Sequence, residues 1–166
     1  MAGWLAHPLG WYLDKGGSMD RSFVAENAKE RERLRSLVEG LTDEELNLPL
    51  GNDWTIAVAL AHLSFWDQRI LFLMRKWKKT GVEPSSIDID VTNDSLLSLW
   101  LAIPPRKAAN LAISSAEAID RELEEASSDF ITEIEGLGKK FRLYRSIHRK
   151  LHLDEIEEIL SKKAKT

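Results

Sequence analysis

The 166-residue sequence contains no cysteine, which excludes disulfide bonds, thiolate nucleophiles and cysteine-ligated zinc. Any metal ion must therefore bind through nitrogen and oxygen atoms. The sequence also lacks a block of one charge, because its 23 Lys and Arg and 27 Asp and Glu residues are interspersed and sum to a formal charge of −4. This pattern argues against a nucleic-acid-binding surface and indicates solubility without pointing to a partner.

Long uninterrupted hydrophobic runs are also missing. The most apolar stretch, residues 54–77, is interrupted by polar residues that include His62, Asp67, Gln68, Arg69 and Arg75. We therefore expect no transmembrane helix and no membrane partner. The first residues are apolar but have neither a basic n-region nor a small-residue cleavage site, so they do not predict a secretory signal. The expected location is the cytoplasm.

A chain of this length with 43% hydrophobic residues can bury one sizeable core. The Gly-Gly-Ser junction at residues 16–18 predicts a boundary between an aromatic N-terminal leader, residues 1–18, and a single domain, residues 19–166. His7 belongs to the leader, and we assign it no ligand role.

Hydrophobic periodicity dominates the pattern of the predicted domain. The long helices are predicted at about residues 20–40, 53–79, 105–126 and 144–162. Thr42 and Glu45 have the spacing of a capping box. Residues 82–92 are expected to form an extended loop, followed by a helix capped by Asn93 or Asp94. Four long amphipathic helices with modest connections are typical of an all-α, up-down-up-down four-helix bundle.

Two histidines, His148 and His152, are four residues apart and share one face of the last helix. A histidine inside a helix is more often a hydrogen-bonded core or surface residue, so the pair alone is a weak signal. His62 falls on the apolar stripe of the second helix and points inward. If the second and last helices run in the same direction, the three side chains lie at similar depth. The pattern predicts a mononuclear metal site of His62, His148 and His152, with zinc or nickel as the ion and positions open to water.

Two further polar residues, Asn27 and Arg69, lie on otherwise apolar helix faces. They are candidates for pocket residues or for groups that support the metal ligands. The ordinary alternative is a partly buried surface contact, which we favour for Arg69.

Three stretches resemble the DinB/YfiT-like superfamily of four-helix bundles. They are RERLRSLVEGLTDEEL at 31–46, NDWTIAVALAHLSFWD at 52–67 and FRLYRSIHRKLHLDEIEEIL at 141–160. The similarity covers about residues 19–160. It implies an up-down bundle, frequently dimeric, whose divalent metal ion is held by three histidines. By position those are His62, His148 and His152.

The resemblance suggests a function, because members of the superfamily include mycothiol-dependent maleylpyruvate isomerases and bacillithiol S-transferases. We therefore expect a homodimeric, metal-dependent transferase in which a bound low-molecular-weight thiol ionises and attacks a small-molecule electrophile. No residue of the sequence identifies the thiol, the substrate or a catalytic side chain.

Two alternatives stay open. In a metal-dependent hydrolase, Glu155 or Asp67 would serve as the base for a bound water, although an ordinary solvated charge is the simpler role for Glu155. The other alternative is a binding or stress-response module without chemistry. Its dimer contacts would come from Trp66, Trp77 and Trp100, if these are not core residues.

Overall fold

The computed structural model describes residues 20–165, which form six α-helices and one short hairpin. The predicted leader and His7 lie outside the described residues. The helices are α1 (Ser22–Gly40), α2 (Ile56–Thr80), α3 (Ile89–Leu101), α4 (Pro105–Glu124), α5 (Ser128–Glu135) and α6 (Arg145–Lys163). Strands β1 (Pro49–Gly51) and β2 (Trp54–Thr55) pair antiparallel between α1 and α2.

The ends of the elements follow from local hydrogen bonds. The predicted capping box is present: Thr42 N donates to Glu45 Oε2 at 3.0 Å, and Glu45 N donates to Thr42 Oγ1 at 3.1 Å. Thr55 caps α2 by accepting from the backbone N–H of Val58 at 3.3 Å. The hairpin, which the periodicity does not predict, brings Trp54 to the start of α2.

The expected loop over residues 82–92 is too long, because α3 begins at Ile89. Asp88 caps this helix by accepting from the Val91 N–H at 3.1 Å, so neither Asn93 nor Asp94 is the cap. Asn93 instead lies inside α3, where it accepts a hydrogen bond from Trp66 Nε1 at 3.1 Å.

The four long helices pack as a bundle, and side-chain pairs give their directions. Helices α2 and α4 run parallel, because Ser64 pairs with Ser115 at 2.9 Å and, further along both helices, Arg75 pairs with Glu122 at 3.2 Å. Helix α4 runs antiparallel to α1, since Arg21 at the start of α1 donates to the carbonyl oxygen of Leu123 near the end of α4.

The last helix runs in the direction of α1. Asn27 accepts from the Ser146 N–H at 2.8 Å, and Arg33 donates to Glu157 at 2.7 Å, so the two helices advance together. The order of directions is therefore up-down-down-up. The all-α bundle is confirmed, but the expected up-down-up-down order is wrong, because the segment 81–104, which includes α3, crosses back along the bundle before α4 begins.

The core has two apolar clusters with a polar layer between them. One cluster surrounds Leu46, Ile56 and Leu60 where α2 begins, and the other surrounds Phe23 and Met74 towards the opposite end. The layer between them consists of buried polar and charged side chains: Asn27, Asp67, Asp120, Arg145 and Arg149. Burial of the two clusters provides the main stabilising term of the fold.

The three candidate dimer-contact tryptophans belong to the core of the single chain. Trp66, Trp77 and Trp100 are only 8%, 2% and 5% exposed. Their burial within one chain contradicts the hypothesis that they form a dimer surface.

Helix α2 is long and apolar enough to cross a membrane by length and composition, contrary to the sequence expectation. However, 72% of its most apolar window is buried inside the bundle. The apolar side chains of α2 are therefore those of a core helix, which is consistent with a soluble protein.

Candidate metal centre

The three predicted histidines come together in the described structure. Their candidate ligand atoms all lie within 4.8 Å of one another, and the Nε2 atoms of His62 and His148 are 2.9 Å apart. The ring centroids of His62, His148 and His152 form a nearly equilateral triangle with sides of 4.8, 4.9 and 5.0 Å. Nitrogen ligands of a tetrahedral zinc ion lie about 3.3 Å apart, given Zn–N distances of about 2.0–2.1 Å. The donor set and its spacing therefore fit a divalent ion.

The reason the histidines meet differs from the one the sequence suggested. Helices α2 and α6 are antiparallel, so equal distances from the helix starts do not place side chains at equal depth. The buried ion pair between Arg145 at the start of α6 and Asp67 in the middle of α2 sets the offset between the two helices, with 2.7 Å between Nε and Oδ1. Continuing along α6 from that pair moves back along α2, so His148 and His152 meet His62.

A hydrogen bond orients one of the three rings. His152 Nδ1 and Glu155 Oε2 are 2.8 Å apart, which directs Nε2 of His152 towards the cluster. Nδ1 of His148 lies 3.5 Å from an Arg145 guanidinium nitrogen, too long for a strong bond. Nδ1 of His62 is buried and makes no hydrogen bond with the described residues.

Electrostatics keep two of the rings neutral. Burial, followed by the positive potential of His152 and Arg145, lowers the pKa of His62 to about 3. Burial, followed by Arg145 and the other two histidines, lowers the pKa of His148 to about 2. Both rings are therefore uncharged at neutral pH, which is the protonation state that a metal ligand requires.

Tryptophans surround the cluster on the side of the hairpin. Trp54 stacks on His152 with an interplanar angle of 23° and a centroid distance of 6.0 Å. Its ring also lies 4.8 Å from His62, and the Trp100 ring meets His62 edge-on at 5.2 Å. The β-hairpin and α3 thereby shield one side of the three-histidine cluster from water.

A network of buried charges holds the helices that carry the histidines. Arg149, which is 0% exposed, donates to Asp67 of α2 at 3.1 Å and to Asp120 of α4 at 2.8 Å. Arg145 binds the other oxygen of Asp67. The network fixes α6 against α2 and α4 next to His148. Asp120, Arg145 and Arg149 were not predicted as site residues, although the two arginines share a helical face with His148 and His152. Asp67 was predicted only as a candidate base.

Neither Asp67 nor Glu155, the two candidate bases, is free to activate a water molecule. Asp67 is 1% exposed and both its oxygens accept from arginines, so it is not placed to activate water. The Glu155 side chain is 50% exposed, but one of its oxygens bonds to His152 Nδ1, so it is not a free base. Asn27 is structural: its side chain bonds to the backbone of Leu143 and Ser146 at the start of α6.

A cavity of about 720 Å³ opens beside the cluster and is lined by Trp54 and the three histidines at one part of its wall. Aliphatic side chains of α3, α6 and the segment before α3 line much of the remainder. The other polar lining is mainly cationic: Arg69, Lys139, Arg142, Arg145 and Lys150. Among the described lining residues Asp154 is the one carboxylate, and it is paired with Arg33 and Lys150. Arg69 is therefore a cavity residue, not the simple surface contact that we favoured.

An all-α bundle with a three-histidine cluster at a cavity is the arrangement that the sequence resemblance implies. A family model of the DinB superfamily matches residues 26–152, and the chain belongs to this superfamily. A search of curated proteins and a search of solved structures each gave no match.

Proposed function

We propose that the chain is a metal-dependent enzyme in which His62, His148 and His152 hold a divalent ion, zinc or nickel. The observation that carries the proposal is the convergence of three histidines, two of them held neutral by burial, on the wall of a cavity. Three imidazole ligands leave coordination positions free, as in catalytic sites, whereas structural zinc sites are closed by four protein ligands. Membership of the DinB superfamily adds to this support.

We further propose that the reaction is the transfer of an electrophilic group to a low-molecular-weight thiol. A bound divalent ion would supply Lewis acidity, which lowers the pKa of a thiol next to it. Trp54 and Trp100 exclude water from one side of the site, and Glu155 keeps the ring of His152 oriented. The cationic lining favours a thiolate over a thiol in the cavity.

No carboxylate among the described residues of the cavity and the histidine cluster is free, which favours the transferase over the hydrolase. A base that activates water should lie within hydrogen-bond reach of it, yet Asp67 and Glu155 are both engaged and Asp154 is paired. A thiol that ionises near neutral pH needs no such base. We further propose that the protein is a cytoplasmic homodimer that acts on a small-molecule substrate. Light scattering of the purified protein tests the dimer.

The first experiment is elemental analysis of protein purified without a nickel column. We expect about one divalent ion per chain in the wild type and in His7→Ala, and a large loss of metal in His62→Ala. Circular dichroism checks that the variants fold. Equal metal content in wild type and His62→Ala would refute the three-histidine site.

The second experiment tests the reaction. Metal-loaded protein is assayed for conjugation of small electrophiles with several low-molecular-weight thiols. We expect turnover that disappears on chelation and returns with added metal. Turnover of ester or amide substrates, without any thiol-dependent reaction, would favour the hydrolase instead. An occupied site without turnover in either assay would favour the non-catalytic module.

A further inference from the structure

Two arginines at the cavity, Arg69 of α2 and Arg142 in the turn before α6, have no carboxylate partner among residues 20–165. Arg69 donates to Ser85 Oγ at 3.0 Å, and Arg142 donates to the Ser85 carbonyl oxygen at 3.4 Å. Both guanidinium groups therefore meet at one residue. Neither forms an ion pair with any carboxylate in the described part of the chain.

The burial of these charges makes the missing partner significant. Arg142 is only 5% exposed, and its second terminal nitrogen is buried and makes no hydrogen bond with the described residues. Burial, followed by Arg69, lowers the pKa of Arg142; burial, followed by Arg145, lowers the pKa of Arg69. Elsewhere in the same bundle the fully buried Arg149 is neutralised by two aspartates. A buried cation without a counter-ion costs stability, which a bound anion would recover.

Aromatic rings hold both guanidinium groups in place. The guanidinium carbon of Arg142 lies 5.4 Å from the ring centroid of Trp77, and that of Arg69 lies 5.9 Å from Trp66. These contacts stabilise the cations partly and fix their positions. Lys139 adds a third positive charge to this part of the cavity wall.

We propose that Arg69 and Arg142, together with Ser85, form a subsite for an oxyanion, a carboxylate or a phosphate group, of a small-molecule ligand. Arginine donors match the oxygen atoms of both groups in a two-point geometry. Arg69 follows His62 by seven residues on α2, which corresponds to about 10 Å along the helix axis. The cavity joins this subsite to the three-histidine cluster.

The position of the subsite defines a class of substrate for the proposed enzyme. Such a substrate carries an acidic group that binds at Arg69 and Arg142, while its reacting atom lies at the histidines, about two turns away along α2. This assignment of substrate class rests on the proposed function, whereas binding of an anion at the subsite does not. The two are therefore tested separately.

The test is calorimetric titration of metal-free, chelator-treated protein with inorganic phosphate and, separately, with succinate. We expect at least one of the two anions to bind the wild type, and Arg69→Met and Arg142→Met each to weaken that binding by about tenfold or more. Arg75→Met is the matched control on α2, because its side chain is 51% exposed and paired with Glu122. Its affinity should equal that of the wild type, and chloride at equal ionic strength should not compete.

A second readout separates a binding role from a structural one. Methionine keeps the apolar length of arginine, so removal of an unpaired buried cation should leave the unliganded melting temperature of Arg142→Met unchanged or higher. A lower melting temperature would assign Arg142 to the fold. The proposal is overturned if neither anion binds the wild type or if both variants bind like it.

Results from the metal and anion experiments distinguish the two proposals. Anion binding that depends on Arg69 and Arg142, together with elemental analysis that finds no metal in the protein before chelation, would uphold the subsite and reject the metal-dependent enzyme. Metal bound at the histidines without anion binding would uphold the metal site and reject the anion subsite. Preference for phosphate over succinate, or the opposite, identifies which oxyanion the ligand carries.

Discussion

The replacement Asp67→Asn tests the buried charge network more directly than any other single substitution. The carboxylate of Asp67 accepts from Arg145 at 2.7 Å and from Arg149 at 3.1 Å, and the three side chains are at most 3% exposed. An asparagine of nearly the same size keeps one acceptor oxygen but removes the charge. Arg149 then keeps Asp120 as a carboxylate partner, whereas Arg145 loses the negative charge of Asp67.

The expected loss of unfolding free energy follows from the burial of the ion pairs that Asp67 forms with Arg145 and Arg149. Breaking a buried ion pair by removal of one partner costs about 3–5 kcal/mol, because the other charge stays buried without compensation. The retained amide oxygen should place Asp67→Asn near the lower value, at about 3 kcal/mol. A domain of this size loses about 2–4 °C of melting temperature per kcal/mol, so we expect a decrease of about 6–12 °C.

The assay is urea unfolding followed by circular dichroism, with thermal melting as a second measurement. Asp154→Asn is the matched control, since Asp154 is also ion-paired, to Arg33 and Lys150, but its side chain is 48% exposed. Exposed pairs contribute little, so the control should shift the midpoint only slightly. If Asp67→Asn shifts the midpoint no more than Asp154→Asn, the network does not stabilise the bundle as argued.

The same substitution should also affect the metal centre. Asp67 positions α6 against α2, and the histidines of the site are divided between these helices. Loss of a supporting interaction of this kind lowers metal affinity by about 10- to 100-fold. Competition with a chromogenic chelator measures the affinity, and an unchanged value in a folded Asp67→Asn protein would separate the network from the site.

Three further predictions concern the histidines. Glu155→Gln should lower metal affinity by about 10- to 100-fold, since it removes the charge next to His152 Nδ1, whereas Glu158→Gln, an exposed residue on the same helix, should not. Metal-free protein should lose stability as pH falls from about 6.5 towards 3, because His62 and His148 bind protons in the unfolded chain but not in the fold. Between pH 7 and 5 each histidine should lower the free energy of unfolding by about 2 kcal/mol. Urea unfolding of His148→Gln should show a correspondingly smaller loss. Free zinc or nickel at 100 times its dissociation constant should stabilise the wild type by about 2.7 kcal/mol, and a chelator should remove this gain. If added metal raises the melting temperature of His152→Ala as much as that of the wild type, the three-histidine site is contradicted.

Much of the fold was predictable because helices leave a local signal. The apolar repeat locates the four long helices to within a few residues, and the capping box at Thr42 and Glu45 is visible as a spacing. Membership of the DinB superfamily follows from the motifs around His62 and the HxxxH pair. The inward position of His62 also follows from its place on the apolar stripe, and the residue is 4% exposed.

The remaining features depend on contacts between residues that are far apart in the sequence. Helix direction is an example: nothing in residues 81–104 alone shows that the segment crosses back along the bundle before α4. The hairpin with Asn52 and Asp53 at φ of 51° and 63° is too short for an alternating pattern. Arg149 resembles any surface arginine of an amphipathic helix until Asp67 and Asp120 are found beside it.

The cavity accounts for two features that stability alone does not explain. A fold under selection for stability alone has no use for a buried guanidinium such as Arg142, which has no counter-ion among the described residues. The same holds for a buried imidazole nitrogen such as Nδ1 of His62, which has no hydrogen-bond partner among them. The bundle has the means to neutralise buried charge, as Arg149 shows. Both unsatisfied side chains line the same 720 Å³ space, one beside the candidate metal ligands and one beside Arg69. The anionic ligand proposed above would neutralise Arg142 and extend along the cavity to the histidines.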